Sequence, residues 1–303
     1  MRRTFLTRLR INGSYYVLGA LLLLLGAPLY QWLWLLPHGY GEALTAASRG
    51  QLAIYLLWLQ RHLWSFALYR LLQMAAFALT LSLPFTLFRI IVAQEVLGRE
   101  EEAEEGTSAE PEGAGADREE RADGRQAAAK ATDTGAGEKP LPQTAEELLA
   151  VPWRGKGFAV IAAWSGMLGI LLLVLGNLAS TVYQVGVARG FSALALPSPS
   201  FALVVEICSL VANTGGGLLL ALATLLFGFI IARSGLQLWP PLWVALGYGA
   251  ILLALFLIGS AVQVALAPAS GQAFLTTPAF LLFALWTLWL GLILVRLRPA
   301  PAS

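Results

Sequence analysis

Arg70-Leu-Leu-Gln-Met-Ala-Ala-Phe-Ala-Leu-Thr-Leu-Ser-Leu-Pro-Phe-Thr-Leu-Phe-Arg89 is the stretch that decides how this chain is read. Eighteen residues lie between its two arginines, and Gln73 is the one strongly polar group among them. At about 1.5 Å of helical rise per residue, the two cations stand near opposite edges of a hydrocarbon layer about 30 Å thick. A soluble core has no use for such a segment; a bilayer does.

The same pattern recurs on both sides. Hydrophobic residues make up 57% of the 303 and charged ones 13%, against about 25% charged in an ordinary soluble domain. A first apolar helix runs from about Tyr15 to Leu36, with Pro28 as an expected kink and Trp32 and Trp34 in the headgroup belt at its far end. Met1-Arg-Arg-Thr-Phe-Leu-Thr has the look of a twin-arginine export leader. No small-residue cleavage motif follows Leu21–Leu25, so this is read as a retained helix with a basic anchor. Residues 38–65 begin too polar to span; Leu52 to Trp64 reads as a helix lying in the interface, with a seventh span over 44–65 as the alternative. Helix 2 is the bracketed stretch. Helix 3 crosses from about Phe158 to Asn177 and continues towards Val187. Helix 4 follows Pro197 and Pro199, carries no charge from Ser200 to Ile231 except Glu206, and ends at Arg233-Ser-Gly235. Helix 5 spans about Leu242–Val262, and helix 6 follows Pro278 and stops before Arg296.

Between helices 2 and 3 lies a segment of different composition. Residues 99–150 hold fifteen of the eighteen acids and six of the twenty Lys and Arg, for a net charge of −9; the rest of the chain carries +11. Without one aromatic residue, the segment cannot bury enough apolar surface to offset the entropy of ordering it, so it reads as disordered. Three regions follow: a leader with helices 1 and 2 (1–98), the acidic loop (99–150), and helices 3–6 (151–303). The overall charge of +2 averages two opposite populations and does not indicate a nucleic-acid partner.

Six spans put both termini on one side. If that side is the cytoplasm, ten basic residues outside the acidic loop are internal and four are external (Arg49, Arg61, Arg70 and Arg189), as the positive-inside rule requires. The sequence therefore specifies an all-α polytopic bundle in the cytoplasmic membrane, N-in and C-in, with the acidic loop inside. Its partners are the bilayer and, as one reading of the loop, a basic protein.

Asn213-Thr-Gly-Gly-Gly-Leu-Leu-Leu-Ala-Leu, Gly228-Phe-Ile-Ile-Ala-Arg-Ser-Gly-Leu236 and Pro241-Leu-Trp243 resemble a broad group of uncharacterised bacterial six-span membrane proteins over about residues 160–295. There a helix ends in Arg-Ser-Gly, and a Pro and a Trp open the next. The resemblance implies the six-helix fold and no activity; the acidic insertion and the long loop after helix 1 depart from it.

Polar residues concentrate on helices 3 and 4. Asn177, Thr181 and Gln184 share one α-helical face, and Glu206, Ser209 and Asn213 share another. Arg70, Gln73 and Gln263 fall at the same depth. Two readings stand. These residues line an outward-facing pocket, with Arg70 the counter-ion of Glu206 and with Asn177, Gln184 and Asn213 as ligand contacts. Or they are interhelical hydrogen-bond glue. Gly215-Gly-Gly217 likewise either unwinds helix 4 or admits a close neighbour, as Ser165 and Gly169 do on helix 3. One cysteine, Cys208, and two histidines, His38 and His62, supply no metal cluster. No H-E-x-x-H, Walker or G-x-S-x-G motif occurs, so neither an enzyme nor a cofactor is expected. The expectation is a small-molecule permease or, alternatively, a non-catalytic membrane scaffold or accessory subunit.

Overall fold

A computed structural model of the chain describes residues 3–94, 156–192, 198–266 and 275–297. Two compact units separate, 1–91 with 154–303, and 92–153. Everything below concerns the first. The acidic segment 99–150, with its expected disorder, lies outside the described residues, as do Arg154, Pro197 and Arg298.

Among the described residues the fold is helical, with no strand. Six helices are long and apolar enough to cross a membrane, and we number them 1 to 6: Leu6–His38, Leu63–Gln94, Gly157–Gly190, Ser200–Leu236, Pro241–Leu266 and Thr276–Arg296. Residues 44–65 add no seventh. Instead two short helices, Tyr40–Ser48 and Leu52–Arg61, fold between helices 1 and 2. Gly39, at φ 83°, makes the left-handed turn that lets the chain reverse out of helix 1.

Three of the long helices depart from α geometry. In helix 1 the misfit of Pro28 is absorbed by two π-helical stretches, Leu22–Gly26 and Gln31–Leu35, which replace the expected single kink. Helix 2 is interrupted at 80–82. Pro84 has no N–H for the Thr80 carbonyl and its ring crowds that group; Leu83 N–H bonds it instead at 2.9 Å, and the Thr80 hydroxyl turns back to the Phe77 carbonyl at 2.8 Å. Helix 4 is π-helical over Leu210–Gly216 and ends at Gly235, whose φ of 58° and ψ of −152° suit only glycine.

The six helices close into a ring. Each packs on its neighbours in sequence, and helix 6 returns to helix 1. The surface is apolar all round: Leu25, Trp32, Trp164, Leu222, Leu255 and Leu285 are exposed. Exposed apolar side chains of this kind suit helices long and apolar enough to cross a membrane.

Of the two readings of the triple glycine, close approach of a neighbouring helix is the one the packing fits. Helix 4 is not unwound there, but it is π-helical, and one glycine makes the close crossing. A Cβ on Gly216 would lie 2.9 Å from the Gly169 carbonyl oxygen, and one on Gly169 would lie 2.8 Å from that of Gly216. Gly215 has nothing nearer than 3.9 Å. We therefore expect Gly169→Val to destabilise the detergent-solubilised protein by about 1–3 kcal/mol, the usual cost of overpacking, and Gly215→Ala to leave it unchanged within error. Thermal unfolding followed by size exclusion measures both; equal effects would contradict this packing.

Candidate functional site

Near one end of the ring is a cavity of about 380 Å³. Helices 1, 2, 3, 4 and 6 all line it, whereas the sequence had centred the pocket on helices 3 and 4, with Arg70 and Gln73 of helix 2 and Gln263 of helix 5 at the same depth. From helix 2 come Tyr69, Arg70 and Gln73; from helix 3, Asn177, Ser180 and Gln184; from helix 4, Cys208, Ser209 and Asn213. Helix 1 contributes Gln31, and helix 6 Thr276 and Thr277. Counted from Arg89, Arg233 and Arg296 towards the other end of helices 2, 4 and 6, Arg70, Asn213 and Thr276 lie about 20 residues away. That is about 30 Å, one hydrocarbon thickness. The polar walls thus lie at the end of the helices opposite to those arginines.

Four of the five expected residues meet here: Arg70, Asn177, Gln184 and Asn213. Glu206 does not join them. It is half-buried, while Val205 and Cys208 beside it line the cavity. The π-helical stretch from Leu210 is the physical reason. Wider i→i+5 turns advance the chain by a smaller angle per residue, so Asn213 falls behind the α-helical register and lies against Ser209, to which it donates a hydrogen bond, and not against Glu206. Nor does Glu206 neutralise Arg70: among the described residues no ion pair forms at either group. Gln263, expected at this depth, accepts a hydrogen bond from Leu275 N–H at 2.9 Å and so fixes the start of helix 6.

Two hydrogen-bonded chains shape the walls. In the first, an Arg70 terminal N–H reaches Gln73 Oε1 at 3.4 Å, Gln73 Nε2 donates to the Tyr69 hydroxyl at 2.9 Å, and that hydroxyl donates to Gln31 Oε1 at 2.8 Å. A cation at the head fixes the direction of every dipole, leaving the Gln31 amide nitrogen at the tail. In the second, Tyr55 Oη donates to Gln184 Oε1 at 2.6 Å and Gln184 Nε2 donates to Ser180 Oγ at 2.8 Å. Tyr55 comes from the short helix Leu52–Arg61, which was expected to lie in the interface. Its Tyr55, Leu56, Trp58 and Leu59 are buried with Phe66, Tyr69, Ala188 and Phe201, so one face of this helix packs on the bundle end beside the cavity. Burial, reinforced by Tyr40 and opposed by Arg70, pushes the Tyr55 phenol well above its ordinary value. The folded chain thus keeps a proton that the unfolded chain releases near pH 10, and this group's contribution to stability is lost only as pH rises past about 10.

Asn177 and Asn213 are not interhelical glue. Asn177 Nδ2 donates to the Leu173 carbonyl of its own helix at 2.7 Å, and Asn213 Nδ2 to Ser209 Oγ at 3.0 Å. Other residues cross-link the bundle instead, among them Trp286, which the sequence had suggested only as a packing or lipid contact. Tyr16 shares hydrogen bonds with Ser82 at 2.9 Å and Thr86 at 2.7 Å, and Trp286 Nε1 donates to the Leu246 carbonyl at 3.0 Å. Gln31, Tyr69, Ser180 and Thr276 were also passed over; the i, i+4 pair Tyr69 and Gln73 flanking Arg70 was their one visible trace.

His38 and His62 stand 5.7 Å apart, packed against Trp34 and Trp58. No cluster of three or more metal-ligating side chains occurs among the described residues. No known protein family, curated protein or solved structure matches the chain, so the site is read from its own geometry.

Tyr55→Phe leaves the buried Gln184 oxygen without its donor and should cost about 1–3 kcal/mol. Gln184→Leu orphans the Tyr55 hydroxyl at similar cost. The double variant should cost clearly less than the two together, because neither partner is left unsatisfied. Strict additivity in thermal unfolding would contradict the contact.

Proposed function

We propose that the protein is a permease-like membrane protein that binds a small molecule in this cavity. It lies in the cytoplasmic membrane with both termini inside, the acidic segment on the same side, and the cavity at the outer headgroup level. The excess of basic residues at the opposite ends of the helices supports that orientation.

One observation carries the functional reading: the three helices that abandon α geometry, 1, 2 and 4, all contribute to the cavity wall. Breaks and π stretches inside a membrane leave backbone groups without their usual partners, which a packing-only bundle avoids. They recur where helices are built around a ligand or must move. A scaffold would favour a filled interior at this place. The cavity's size, at the lower end of the range for small-molecule sites, fits the binding reading. The short helix bearing Tyr55 then lies at the outer interface as a cap.

Cys208 is the single cysteine of the chain and lines the cavity, half-buried. In intact cells it should react with a membrane-impermeant thiol reagent added from outside, and Glu206→Gln should leave that rate unchanged. Protection in cells, with full reaction after unfolding in denaturing detergent, would show a closed interior and overturn the proposal.

A further inference from the structure

The charge inventory of the cavity is lopsided. Among the described residues, Arg70 is the one side chain of formal charge on its wall, and no carboxylate of those residues pairs with it. Its Nε is buried without a hydrogen-bond partner. The guanidinium carbon lies 5.5 Å from the Phe66 ring centroid, and the contact to Gln73 is long at 3.4 Å. An unneutralised cation at the edge of a hydrocarbon layer is costly, and so is an orphaned buried donor. Water satisfies the donor but leaves the charge. An oxyanion satisfies both, and the planar guanidinium is the side chain best shaped to hold one.

The rest of the wall agrees. The chain through Gln73 and Tyr69 starts at a cation and ends at the Gln31 amide nitrogen, a donor. Deeper along helices 1, 2 and 6 the lining turns apolar, with Leu23, Phe77 and Phe280; the Phe77 and Phe280 rings meet edge to face at 5.4 Å. A positive, donor-rich upper wall above an aromatic floor is complementary to an amphipathic anion.

Resting on the pocket reading above, we propose that the cavity receives an oxyanion group, of phosphate or carboxylate type, carried on an apolar moiety, with Arg70 as its counter-charge. The anion lies against the Arg70 guanidinium, and the apolar part descends towards Phe77 and Phe280.

The test uses Cys208 as reporter in the full chain, purified in neutral dodecyl maltoside micelles. The rate of its modification by a water-soluble maleimide is measured with added dodecyl phosphate, inorganic phosphate or dodecyltrimethylammonium. Dodecyl phosphate should slow the reaction at least tenfold, saturably, and dodecyltrimethylammonium should not. Protection by dodecyl phosphate alone points to a lipid-like ligand; protection by inorganic phosphate as well points to a free anion; either supports the proposal. Arg70→Gln should raise the protecting concentration at least tenfold, and Arg70→Lys should fall between. Should Arg70→Gln fail to fold, the contrast between anionic and cationic amphiphiles on the native protein decides. Equal protection by the cation, or undiminished protection in a folded Arg70→Gln, overturns the proposal. A reactive Cys208 that neither anion protects overturns it while leaving the pocket itself intact. A Cys208 that reacts only after unfolding removes the pocket and the proposal together.

Discussion

The bundle depends on backbones coming within van der Waals contact at glycines. Lipid tails are as apolar as leucine, so little hydrophobic force draws these helices together; close packing must do it. Glycine is therefore placed at nearly every interface of the ring. Helices 3 and 4 meet at Gly169 and Gly216, and helices 4 and 5 at Gly228, where a Cβ would lie 2.7 Å from the Gly247 oxygen. Helices 6 and 1 meet at Gly291 and Gly13, and helices 1 and 2 at Gly19, 2.8 Å from the Ala76 oxygen by the same measure. Helix 2 sets Pro84 against Gly166 of helix 3.

That tight packing also explains where the cavity can exist. The glycine contacts hold the middle and basic end of the ring closed, and Arg10 adds a clasp there by donating to the Leu297 carbonyl. Towards the other end the irregular turns of helices 1, 2 and 4 change the direction in which side chains project. The walls part, and polar groups from five helices converge. The hairpin of short helices then covers that end, and its Tyr55 enters the wall through Gln184. Packing, irregularity and polar lining are thus one arrangement, and Arg70 stands on its wall with no carboxylate of the described residues paired to it.

Much of the site was legible because lipid punishes polar groups: any Arg, Asn or Gln deep in an apolar helix stands out. Arg70, Asn177, Gln184 and Asn213 were found that way. Glu206 stood out for the same reason yet misses the cavity, since one-dimensional spacing assumed α-helical turns that Leu210–Gly216 do not adopt. Gln31 and Tyr69 were missed because each is unremarkable alone; they matter through a hydrogen-bonded chain that joins two helices.

The sequence by itself determined the six long apolar helices and their approximate ends, because length and hydropathy act locally along the chain. Only the tertiary structure decided the closed ring, the glycine of the triplet that makes the crossing, the break before Pro84, and the packed cap between helices 1 and 2. The physical reason is that these depend on distances between segments remote in sequence and on how each helix is rotated about its axis. A single π-helical stretch alters that rotation by enough to choose between a glutamate and its neighbour.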